Sequence, residues 1–121
     1  MAELGQFSSE YKPAPVASST ADIHGPAADT DAVVTYTAEA AKRHVITGVA
    51  WSYSAAPTGG MLTITDDGSE VFKMAITAAG PGSITFPRPK AGGIGTAMVV
   101  TLAAGSGTVV GKVNVLNHWL G

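Results

Sequence analysis

The chain contains no cysteine, which excludes a disulfide framework, a thiolate nucleophile and any zinc site built on sulfur. Charged residues make up only 13% of its 121 residues, about half the usual share in a soluble globular protein, which implies that much of the surface is covered. No apolar run approaches the roughly 20 residues that span a bilayer. The opening Met-Ala-Glu-Leu-Gly-Gln has neither the basic start nor the apolar stretch of a signal peptide, so the expectation is a protein made and assembled in the cytoplasm. A formal net charge of −2 without a basic stripe argues against nucleic-acid binding.

What is present divides near residue 31. Residues 1–31 are rich in Ala, Ser, Pro and Asp and have no apolar periodicity. A tail of this composition orders only where it is tied down, and it is read as an extended N-terminal arm that reaches onto a neighbour. The arm sets Glu3, Glu10, Asp22, Asp29 and Asp31 against Lys12 alone, whereas the body has two more cations than anions. Opposite signs favour an arm lying on another body, although exposed pairs contribute only about 0–1 kcal/mol each and weaken in salt. Residues 32–121 form the second unit, a single domain large enough to bury an ordinary core.

Within that body, short apolar runs alternate with period two between turn residues. Strands are predicted over residues 32–37, 44–54, 61–65, 70–77, 83–86, 96–103 and 108–116. In the clearest of them Val45, Thr47, Val49, Trp51 and Tyr53 are expected to share one face. Asp66-Asp67-Gly68 is a hairpin signal, and Pro87 with Pro89 confines the neighbouring strand to an edge or a corner. Residues 37–43 contain good helix formers but suffice for no more than a marginal turn. Turn chemistry about every 8 to 12 residues, with no long helical pattern for crossovers, predicts an all-β antiparallel β-sandwich, jelly-roll-like, with the N-terminal arm outside it. The principal core candidates are Ile46, Val49, Trp51, Leu62, Ile64, Phe72, Met74, Ile76, Phe86, Val100, Leu102, Val113 and Val115.

Motifs for chemistry are scarce. His24, His44 and His118 show no local metal-ligand spacing. The acidic pair at Asp66 and Asp67 lacks the rest of a calcium-loop pattern. No serine has a Gly-x-Ser-x-Gly context. Gly92, Gly93 and Gly95 are not followed by the Lys-Ser/Thr of a phosphate loop and are better read as supplying positive φ to a tight loop. No catalytic residue, metal site or cofactor is therefore expected. Trp51 reads as a core residue. Trp119, in the closing Asn-His-Trp-Leu-Gly, either folds back onto its own core or docks against a partner. Phe7 and Tyr11 are the only aromatics of the arm. The interface candidates are accordingly Phe7, Tyr11, His118 and Trp119.

Four segments carry a resemblance: Lys-Arg-His-Val-Ile-Thr-Gly-Val-Ala-Trp-Ser-Tyr-Ser (residues 42–54), Ala-Pro-Thr-Gly-Gly (56–60), Gly-Pro-Gly-Ser-Ile-Thr-Phe-Pro (80–87) and Thr-Leu-Ala-Ala-Gly-Ser-Gly-Thr-Val-Val-Gly-Lys-Val-Asn-Val (101–115). In these the body resembles small structural proteins of tailed bacteriophages, of the capsid decoration (cement) or head-associated type. The resemblance is one of phrase rather than of a functional motif, and it carries no catalytic residue. It implies a non-enzymatic protein on the capsid surface of a virion, made in the host cytoplasm. Its expected partners are the major capsid protein or other virion proteins, with no nucleic acid and no membrane. A homo-oligomer is expected, a trimer being favoured, whose arm links neighbouring subunits. A tail-fibre or receptor-binding module using residues 56–60 on a host glycan, and a neck or tail component, remain alternative readings. An enzyme such as a small esterase is the least supported, for want of a constellation of titratable groups.

Overall fold

A computed structural model describes the strand Ala14–Pro15 and residues 22–121. It is all-β, with two antiparallel sheets packed face to face and no α-helix among the described residues. The strands are β1 (Ala14–Pro15), β2 (Ile23–His24), β3 (Ala32–Tyr36), β4 (His44–Tyr53), β5 (Met61–Asp66), β6 (Ser69–Ala75), β7 (Gly80–Ala91), β8 (Met98–Leu102) and β9 (Gly111–Leu120). One sheet has the order β3-β8-β5-β6. The other runs β9-β4-β7, with β1 and β2 both added to the free side of β9. From β3 onward only β5 and β6 are joined as a hairpin, and every other connection passes to the opposite sheet, as in a jelly roll. The hairpin turns on Asp67 and Gly68, both at positive φ (51° and 83°), the backbone of a type I′ turn that suits the twist of its strands.

The core is built from rows of side chains across the sheets. Ala32, Leu102 and Leu62 form one row and Val34, Val100 and Ile64 the next, all at most 1% exposed. Val49 and Val115 face them from the opposite sheet, beside Val113 and Tyr53. Ten of the thirteen expected core residues are buried, and Trp51, Phe72 and Met74 pack against them half-buried. Tyr53 occupies room left by its cross-strand neighbour Gly111, where an added Cβ would lie 3.2 Å from the ring, and its hydroxyl donates to the Ala103 carbonyl at 2.6 Å.

Three local expectations change. The single face expected along β4 is broken by an irregularity at Thr47: Ile46 pairs with His118, but Val49 pairs with Val115. An extra residue on each strand, Thr47 on one and Leu116 on the other, reverses the side-chain alternation. His44 and Ile46 therefore share the inner face with Val49, Trp51 and Tyr53, while Thr47 leaves it. Residues 37–43 form no helical turn. They make a loop closed by Lys42 N–H donating to the Glu39 carbonyl, with Ala41 at φ 62°. The strand expected over residues 83–86 extends to Gly80–Ala91. It lies at a sheet edge, where Pro81, Pro87 and Pro89 interrupt no further ladder.

Residues 22–31, assigned to the arm from composition, are held against the sandwich. Ile23 and His24 pair with Asn114 and Val113. Asp29 N–H donates to the Val109 carbonyl at 3.0 Å, and Asp31 Oδ1 accepts from Ala104 N–H at 2.8 Å. The expected clasp on a neighbouring subunit falls on residues 1–21, which apart from the pairing of β1 lie outside the described residues.

Candidate functional site

The buried polar side chains of the described residues, His44 and His118, meet where β3, β4 and β9 come together. His44 opens β4, His118 lies near the end of β9, and Tyr36 closes β3. The two imidazoles are only 4% and 9% exposed. His44 Nε2 lies 2.7 Å from the Thr37 carbonyl, which can only accept, so Nε2 carries the proton and donates. His44 Nδ1 is then the acceptor for the Nε2–H of His118 at 2.8 Å. The Tyr36 ring stacks on His118 with centroids 3.6 Å apart and planes 4° from parallel, and its hydroxyl donates to Asp22 Oδ1 at 2.5 Å.

This chain of bonds leaves His118 Nδ1 as a lone pair, buried and without a hydrogen-bond partner among the described residues. Burial, then the neighbouring His44, push the His118 pKa down to about 4, against a smaller upward pull from Asp22. The imidazole is neutral at pH 7. Burial, then the hydrogen bond it donates to Asp22, push the Tyr36 phenol far upward, so it remains a donor. A pocket of about 220 Å³ opens beside the cluster, lined by Thr35, Tyr36, Thr37, Glu39, His44, His118 and Leu120. No group of three or more His, Cys, Asp or Glu placed to hold a metal ion occurs among the described residues.

The interface candidates separate in the fold. Phe7 and Tyr11 lie outside the described residues. His118 turns its ring into the cluster. Trp119 faces the other way, in register with Val45 and Pro15. It is half-buried, and its indole Nε1 is buried without a hydrogen-bond partner among the described residues. Sequence reasoning missed Asp22, Tyr36 and His44 as parts of one arrangement. The signal available was slight: His44 begins a strand and His118 falls where the alternation of Val113 and Val115 stops. The exposed apolar side chains Ile23, Val71, Ile94 and Leu116 stand on separate elements, and single exposed hydrophobics are ordinary.

No family model matches the chain, and no curated protein does. Among solved structures it is similar to the CBM36-1 domain of a multidomain xylanase from the hindgut metagenome of Trinervitermes trinervoides (TM-score 0.45, 8% identity, 82% of this chain and 75% of that one). It is also similar to a carbohydrate-binding module CBM36 in complex with calcium and xylotriose (TM-score 0.42, 17% identity, 82% and 78%). A third similarity is to the insecticidal delta-endotoxin Cry8Ea1 of Bacillus thuringiensis (TM-score 0.45, 11% identity, 88% of this chain and 22% of that one).

Proposed function

We propose that this chain is a non-enzymatic bacteriophage virion protein, a capsid decoration subunit. In this reading it sits on the outer capsid, binds the major capsid protein and, as a homotrimer, links neighbouring subunits through its N-terminal segment. The observation that supports this most is the way the N-terminal chain attaches to its own sandwich. It does so as extended strands added to the edge of β9, with Ala14 opposite Leu120 and Ile23 opposite Asn114. Strand addition to a sheet edge is a general way for one chain to engage another. The 13 residues ahead of β1 could span at most about 45 Å when extended, enough to pass from one subunit of a shell to the next. Phe7 and Tyr11, the aromatics of that segment, are the anchors assigned to it. Many bound copies then gain from effective concentration, because a clasped neighbour leaves only when two contacts open.

The test is made on purified particles of the phage encoding the chain. Mass spectrometry should count on the order of hundreds of copies per particle, as a symmetric coat requires, and not roughly a dozen, as a neck or tail ring would. Particles lacking the protein should assemble and package DNA but release it at lower temperature in a dye-fluorescence ramp. Identical release curves with and without the protein would refute the cement role.

A further inference from the structure

The chain has three histidines, and the fold places all three where residues 22–31 meet the sandwich. His24 Nδ1 accepts the Val33 backbone N–H at 2.9 Å, a bond that ties β2 to β3 and needs a lone pair on that nitrogen. His44 Nδ1 accepts from His118 for the same reason, since its Nε2 is committed to the Thr37 carbonyl. His118 in turn backs the Tyr36 ring, whose hydroxyl holds Asp22. Each of these arrangements requires an unprotonated ring nitrogen. A proton on His24 Nδ1 sets a donor against the Val33 N–H. One on His44 Nδ1 sets a donor against His118. One on His118 Nδ1 places a charge at a buried atom that has no acceptor among the described residues.

We propose that residues 22–31 are an acid-released strap: proton binding at the three histidines detaches the strap from β3 and β9 and leaves the N-terminal chain held by the pairing of β1 alone. The consequence for clasping rests on the decoration reading, but the strap itself does not. The groups facing the pair are Tyr36 from β3, Thr37 and Glu39 from the β3–β4 loop, Leu120 from β9, and Asp22 from the strap. Lys112 of β9 lies along the strap at Gly25. Asp22 draws a proton toward His118. Burial, then the neighbouring His44, keep the proton off His118 until the medium is acidic.

The experiment is amide hydrogen exchange on the full-length chain, expressed as protection factors, at about pH 7 and about pH 4. The Val33 and Asp29 amides, both bonded across the strap, should lose protection about tenfold or more, as loss of one bonded acceptor implies. Val100 and Ile64, in central strands of the other sheet, should keep theirs. His24→Asn retains an acceptor near Nδ1, and the amide of His118→Gln can turn either its N–H or its oxygen toward His44, so neither new side chain titrates and a proton on His44 Nδ1 finds an acceptor. The double variant should therefore hold its strap at both pH values. Unchanged Val33 and Asp29 protection in the wild type, or equal loss in the double variant, would overturn the proposal. If His118→Gln fails to fold, the ring nitrogens of the wild type are titrated by NMR instead, and strap opening that tracks none of the three rings overturns it equally. A chain that opens its strap in acid but never binds particles would refute the decoration reading alone.

Discussion

At Gly82 one methyl group would bring two opposing effects into competition. Its φ is not in the left-handed region, so an alanine suits the backbone and would restrict the unfolded chain, a gain of about 0.4–1 kcal/mol. Against this, an added Cβ would lie 2.5 Å from Trp51 Cζ2 and 2.6 Å from Cε2, where carbon atoms ordinarily stand about 3.5–4.0 Å apart. The indole is a rigid plane packed against the core, and it cannot yield by bending one terminal bond. It must shift by about an ångström, and such overpacking costs about 1–3 kcal/mol. The steric term wins, and Gly82→Ala should destabilise the protein by about 1–2 kcal/mol. Gly48 is the control, on the same sheet and also without positive φ. Its added Cβ would meet Leu116 Cβ at 3.5 Å and the Ile84 carbonyl at 3.6 Å, ordinary contacts, so Gly48→Ala should be neutral or stabilise by up to about 1 kcal/mol. Urea unfolding followed by circular dichroism compares the two without relying on Trp51 as a probe. A Gly82→Ala protein at least as stable as wild type, or a Gly48→Ala protein worse than Gly82→Ala, would refute this reasoning.

Leu102→Ala should cost about 3–5 kcal/mol, because Leu102 is fully buried between β3 and β5, whose paired backbones cannot collapse into the cavity; a loss below about 1 kcal/mol in the same urea assay would place the side chain outside the core. Stability should be full above pH 6.5 and fall as the pH drops toward 4, since the unfolded chain takes up a proton near 6.5 that folded His118 accepts only at about 4. The span corresponds to at most about 3 kcal/mol, and unfolding midpoints that rise on acidification across that window would contradict the neutral buried pair. Asp66→Ala removes the carboxylate that accepts from Gly93 N–H at 3.1 Å and Thr96 Oγ1 at 2.5 Å, so residues 92–97 should become the first site of limited proteolysis, at a cost of about 1–2 kcal/mol; cleavage elsewhere first would show that this loop is held by other means.

The body was legible where burial follows local alternation. Met98, Val100 and Leu102, or Leu62 and Ile64, alternate in sequence and are fully buried in the fold, because a strand in a sandwich sends every second side chain inward whatever its partners are. The hairpin at Asp67 and Gly68 was legible for a similar reason, since few residue pairs accept two consecutive positive φ angles. The glycine-rich loop was half legible. Gly95 has the positive φ expected of it, but Gly92 is needed because a Cβ there would lie 2.8 Å from Asp66 Oδ1 and 3.0 Å from Met98, neighbours that adjoin it only after folding. The phase of β4 changes at Thr47 through an irregularity shared with β9. His44 meets His118 across 74 positions of sequence, and residues 22–31 join the body through bonds to β3 and β9 and to the connection between β8 and β9. Alternation alone decides which side chains share a face only until an extra residue reverses the phase. The register between strands distant in sequence is chosen by the fit of two whole sheets, and that fit is what brings the three histidines to one strap.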